Sequence, residues 1–178
     1  MKLMIKESED TRIFIDLIRG MDPDDLHEDI ISADEPLKHG KDYNDPVDTR
    51  QNLSTFLTPL ASKIRKLHCV EKVKQYYPED PSNEGLSNYI RITFKHPYGI
   101  SDDEIYDYYY YTIRFSDHGH EKAKEYYDII DSQEVVGQKP KDLIDIGWKI
   151  FEDNLGWIEN EIKQHEIDTY GFQKTTLQ

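Results

Sequence analysis

The chain has 178 residues, with 36 Asp or Glu against 22 Lys or Arg, for a formal net charge of −14. That excess repels phosphates, which argues against direct nucleic-acid binding and favours a basic partner. A single cysteine excludes an intramolecular disulfide, and no apolar run approaches a signal-peptide core or a membrane span, so a soluble protein of a reducing cytoplasm is expected.

Hydrophobic residues make only 37 % of the chain, but aromatics reach 12 %. Disordered chains are poor in aromatics, so a folded protein with an acidic, hydrated surface is expected. The length suits one domain. Residues 11–19 (TRIFIDLIR) carry Ile13, Phe14, Leu17 and Ile18 at helical spacing, while Ile13, Ile15 and Leu17 alternate as in a strand. At this length either type is open. Gly20 and Pro23 end the run. Asp22 followed by Pro23 reads as the cap and first position of a short helix reaching about Ile31. Residues 32–48, with Pro36, Gly40 and Pro46, read as a long loop.

Residues 49–67 read as an amphipathic helix. Leu53, Phe56, Leu57, Leu60, Ile64 and Leu67 keep one face, Asp48 is a candidate cap, and Pro59 is expected to kink the helix or delay its start. Three strands are expected next: Val70–Tyr77, Tyr89–His96 and Ile105–Ser116. In the third, Tyr109, Tyr111, Ile113 and Phe115 share one face, and Tyr108, Tyr110, Thr112 and Arg114 the other. Tyr108 and Tyr110 are expected to face outward. Residues 121–131 read as a short helix. Pro140 opens a longer one to about His165, on which Leu143, Gly147, Phe151, Leu155, Ile158 and Ile162 trace a stripe. Ile144, Trp148, Ile146, Ile150 and Trp157 widen its apolar arc to roughly 200°, which implies a helix wedged between layers or one that meets another protein, a second copy of the chain included.

The fold expected from these elements is α+β: one domain whose three- or four-stranded antiparallel sheet packs against two main helices. An acidic N-terminal arm, residues 1–47, lies across a core of residues 48–178.

The acids cluster. Asp22, Asp24, Asp25, Glu28, Asp29, Asp34 and Glu35 fall within fourteen residues, and Asp102, Asp103, Glu104 and Asp107 adjoin Tyr106, Tyr108 and Tyr110. The first cluster fails the calcium-loop pattern, which needs Gly at position six and Glu at position twelve; counted from Asp22 these are His27 and Ala33. Carboxylates spaced along a segment can instead occupy the positions of successive phosphates in a basic groove, where Arg accepts either anion. Tyrosines beside them supply contact area at low entropy cost. By contrast, residues 51–75 hold five basic residues and one acid, a segment expected to pair with acids inside the fold.

Asp117, His118 and His120 could ligate a metal for a small hydrolase, but Asp117 as a cap and Gly119 in a turn are the first reading. Cys69 has His68, Lys66 and Lys72 near in sequence, yet one cysteine without a placed base reads first as structural. No cofactor motif is present.

The stretch Thr112–His118 (TIRFSDH) resembles a phrase of small uncharacterised phage and mobile-element proteins. The resemblance covers seven residues and implies an origin of that kind; it transfers no catalytic residue. The expected function is therefore non-enzymatic: a DNA-mimicking inhibitor of an RNA-guided or restriction nuclease, of the anti-CRISPR or anti-restriction type, acting in the bacterial cytoplasm. The alternatives are an immunity protein or antitoxin against a basic nuclease, the metal-dependent hydrolase, and a phage assembly component.

Overall fold

Period-two alternation builds a sheet, and the apolar stripes of two helices cover one face of it. The computed structural model describes residues 12–23, 30–32, 57–78, 87–99, 109–116, 121–136 and 140–171. In chain order these form β1 (Arg12–Arg19), β2 (Ile30–Ser32), α1 (57–65), β3 (Val70–Pro78), β4 (Ser87–Phe94), β5 (Tyr110–Ser116), α2 (Glu121–Tyr126), β6 (Asp128–Val136) and α3 (Pro140–Tyr170). The strands lie in the order β2-β3-β4-β5-β1-β6 and every pairing is antiparallel. The result is an α+β single domain.

The expected β3–β4–β5 meander is present, with Val73 opposite Ile92 and Ile90 opposite Ile113. Among the described residues the sheet has six strands, rather than the three or four expected. The first addition is β1. Residues 12–19, assigned above to an N-terminal arm, are a strand hydrogen-bonded between β5 and β6. The helix-like spacing of Ile13, Phe14, Leu17 and Ile18 arose because an inner strand is covered on both faces. Ile13, Ile15 and Leu17 enter the helix side, while Asp16 and Ile18 are buried on the other.

The second addition is β6. The helix expected over 121–131 stops at Tyr126, where the Tyr127 amide closes on the Ala123 carbonyl at 2.8 Å, and the chain turns into the strand. The third is β2: Ile30 and Ile31, expected at the end of a helix, pair with Pro78 and Tyr77 of β3. Residues 24–29, on which the rest of that helix was expected, lie outside the described residues.

α1 buries Leu57, Leu60, Ala61 and Ile64 as its spacing requires. The stretch expected to begin it, 49–56, lies outside the described residues. α3 runs five residues beyond the expected stop at His165, to Tyr170. Gly171, at φ 79°, then takes the left-handed conformation that ends a helix, and its amide bonds the Ile167 carbonyl at 2.9 Å. Leu143, Gly147, Phe151, Ile158 and Ile162 are buried in the core. A Cβ on Gly147 would lie 2.9 Å from Phe115 Cζ and 3.0 Å from Leu60 Cδ2, so α3 touches both the sheet and α1 there. The wide apolar arc follows from that three-way contact, and the Lys63 ammonium of α1 caps the Trp148 ring at 4.4 Å.

Candidate functional site

Of the residues expected to bind a partner, Asp22 and Tyr110 are described. Both meet at Arg91. Arg91 Nη1 donates to Asp22 Oδ1 at 2.8 Å, and the guanidinium lies 5.2 Å from the Tyr110 ring centroid. Tyr110, expected to face outward, is only 9 % exposed. The sheet face away from the helices is itself buried. On it Thr112 Oγ1 donates to the Met21 carbonyl at 2.6 Å and Arg114 to Asp16 Oδ2 at 2.6 Å, beside a cluster of Ile18, Met21, Tyr76 and Tyr89. Asp24, Asp25, Glu28, Asp29, Asp34, Glu35, Asp102, Asp103, Glu104, Tyr106, Asp107 and Tyr108 lie outside the described residues, as do Asp117, His118 and His120. Among the described residues no group of three His, Cys, Asp or Glu could hold a metal ion, and no helix is long and apolar enough to cross a membrane.

The described surface carries an acidic, aromatic margin that sequence reasoning did not assemble. Where β6 begins, Tyr126 is 74 % exposed, and on α3 Trp157 is 44 % exposed. Arg19 joins the two elements. Its Nε donates to Asp128 Oδ2 at 3.0 Å and its Nη1 to Glu161 Oε2 at 2.5 Å, while its guanidinium sits 5.9 Å from the Trp157 ring centroid. Burial alone would lower the Arg19 pKa, but the Asp128 bond and the charges of Glu161 and Asp128 outweigh it and hold the group above its ordinary value. The cation is thus neutralised where it lies, and the margin around it presents carboxylates and rings. β6 continues the edge with Asp131 and Glu134; Asp131 accepts from Asn154 of α3 at 2.9 Å, and Glu134 pairs with Arg12. The signal in the sequence was Trp157, at the rim of the apolar arc of α3.

A pocket of about 240 Å³ opens on the other flank of α3. Glu159 and Trp157 are two residues apart, about 200° around a helix, so they serve opposite flanks. The pocket lies between α3, the end of β4 and the turn from α1 to β3. That turn is held by Leu67 N to Ile64 O (3.0 Å) and Val70 N to Leu67 O (3.1 Å), and the Lys95 amide bonds the Cys69 carbonyl at 2.9 Å. Phe94 and Ile162 supply a buried apolar floor; His68, Cys69, Lys95, His96, Glu159 and Lys163 supply polar groups.

Behind His96 lies Glu166, 1 % exposed. His96 Nδ1 is 3.0 Å from its Oε2, Tyr109 Oη donates to Oε2 at 3.3 Å, and the Tyr98 amide donates to Oε1 at 3.4 Å. The His96 ring stacks on Tyr109 at 4.2 Å, and His165 meets the same tyrosine edge-on at 5.5 Å. Burial raises the Glu166 carboxyl above its ordinary range, against the opposing pull of His96 and the hydrogen bonds. Burial likewise lowers His165. The Cys69 thiol is pushed up, first by burial and then by the charge of Glu159. The thiol is half-buried, which disfavours its thiolate form.

In the basic segment Arg65 donates to the Val73 carbonyl at 3.1 Å, and Lys74 lies 5.6 Å from the Tyr76 ring centroid. In comparisons with known proteins, the chain matches no family model, no curated protein and no solved structure.

Proposed function

We propose that the chain is a non-enzymatic inhibitor. It binds a basic nucleic-acid-handling nuclease, RNA-guided or of the restriction type, and covers that nuclease's nucleic-acid groove with carboxylates. The observation that carries this reading is the margin formed by Tyr126, Asp128, Trp157 and Glu161, set on a chain of net charge −14. Exposed Trp and Tyr are the side chains that anchor interfaces, and surrounding acids steer a basic partner and suppress phosphate-bearing ones.

On this reading the acids of the 24–35 and 102–107 segments, with Tyr106 and Tyr108, also take part in binding the partner. Asp22 and Tyr110 serve a different end, since both are largely buried at Arg91: the Asp22 side chain is 18 % exposed and Tyr110 9 %, against 53 % for the Asp128 side chain. An immunity protein against a basic nuclease toxin would use the same physics, and the identity of the captured partner separates the two.

The test is affinity capture from a bacterial host lysate on the immobilised full chain, with and without excess competing DNA, read by mass spectrometry. A basic nuclease recovered without DNA and lost when DNA is added is the expected result. A partner retained despite the DNA would replace groove mimicry with binding elsewhere on the nuclease.

A further inference from the structure

We propose that the pocket between α3, the end of β4 and the α1–β3 turn binds a small organic anion: an apolar ring or short chain bearing one carboxylate or phosphate.

The pocket's volume of about 240 Å³ equals roughly eight waters at ~30 Å³ each, enough for a single ring with its substituent. The floor takes the apolar part. Phe94 and Ile162 are each 2 % exposed and belong to the main core, and Pro97 adds a third apolar wall. The rim takes the charge. Lys95 and Lys163 stand at the mouth as exposed side chains, with the His68 and His96 rings beside them.

The one acid among the described lining residues is Glu159, whose charge helps hold the Cys69 thiol above its ordinary value. A cationic rim is against the trend of this molecule. The chain carries −14 overall, and the pocket takes His68 and Cys69 from the basic segment 51–75. A pocket with an apolar floor and a few convergent polar groups is the ordinary form of a small-molecule site. Here the convergent groups are nitrogen donors, so the ligand's polar end is an anion. A cationic ligand would face two ammonium groups across a partly desolvated mouth.

This site is independent of the Trp157 margin. It lies on the opposite flank of α3, and the two proposals stand or fall separately.

Cys69 lines the pocket and is the chain's single cysteine, so a neutral thiol reagent reports on this site alone. The full-length protein is treated with iodoacetamide and its intact mass followed, in the presence of phenyl phosphate, benzoate, benzylamine or inorganic phosphate. Phenyl phosphate and benzoate are expected to slow alkylation roughly threefold or more at millimolar concentration, by occupying the native site. Benzylamine and inorganic phosphate are expected to leave the rate unchanged. In the double variant Lys95→Ala/Lys163→Ala, compared with and without probe, the protection should vanish; both side chains are exposed, so the fold is retained. Equal protection by benzylamine would overturn the charge assignment, and equal protection by inorganic phosphate would overturn the apolar floor. No protection by either organic anion would overturn the site itself.

Discussion

Three buried ionisable residues decide how this fold responds: Asp16 and Arg114 to substitution, and Glu166 to pH. Asp16 is fully buried and Arg114 nearly so, with Nη1 to Oδ2 at 2.6 Å on the sheet face away from the helices. Breaking such a pair strands a charge, whereas replacing both partners with apolar groups of similar volume often costs little. Arg114→Met is therefore expected to destabilise by about 3–5 kcal/mol, and Asp16→Leu/Arg114→Met to recover most of that loss in urea denaturation. A double variant as unstable as the single one would show that the ion pair itself holds the face together.

Glu166 governs a pH response. Its folded pKa lies above the ordinary 4.5, first because of burial, so the folded state holds the proton more tightly than the unfolded chain. Its contribution is fully present below that value and is lost as pH rises through the folded pKa. The stability of the wild type relative to Glu166→Gln, which cannot ionise, is expected to fall as pH rises above about 4.5. A difference that stays flat with pH would contradict the assignment. His165 has the reverse sign: burial lowers it from 6.5, so its share of stability is lost as pH falls below that value.

At the scale of elements, two glycines of α3 separate packing from propensity. At Gly147 a methyl group would press on Phe115 and Leu60, so Gly147→Ala is expected to cost about 1–3 kcal/mol despite its gain in helix propensity. At Gly156 a Cβ meets nothing within 4 Å, and Gly156→Ala is expected to stabilise by about 0.5–1 kcal/mol. Thermal unfolding of the two variants reads both signs, and equal shifts would contradict the seating of α3 on the sheet.

Strong periodicity made the β3–β5 meander and α3 legible from the sequence, because one face of each meets a continuous core. β6 was hidden for a physical reason. Its register slips between Leu17 and Ile18 of β1, so Asp131 and Ile129 face consecutive residues and the alternation is broken at Ile130. β1 was ambiguous because both of its faces are covered, which erases the polar half of the pattern. The last turn of α3 was legible in Gly171, a C-cap signal that polar residues after His165 obscured.

For the molecule as a whole, the acidic excess was plain in the composition, while the places where it meets exposed rings were not. Trp157 is far in sequence from Asp128 and meets the start of β6, next to Tyr126, through Arg19, a contact set by the β1–β6 pairing. The pocket was equally hidden, since its lining comes from the α1–β3 turn, the end of β4 and α3. Trp157→Ala and Tyr126→Ala remove exposed rings, so each is expected to leave stability within about 0.5 kcal/mol. Combined, they are expected to weaken partner capture at least tenfold, about 1.4 kcal/mol or more. Capture that survives the double substitution would move the interface off this margin.

Displacement of DNA from the nuclease tests groove mimicry at its source. The captured nuclease is bound to a fluorescent DNA duplex, the acidic protein is titrated in, and anisotropy is followed at two salt concentrations. Complete release of the DNA is expected at both salt concentrations, because carboxylates and phosphates compete for the same basic groove. DNA that stays bound at saturating protein would contradict groove mimicry.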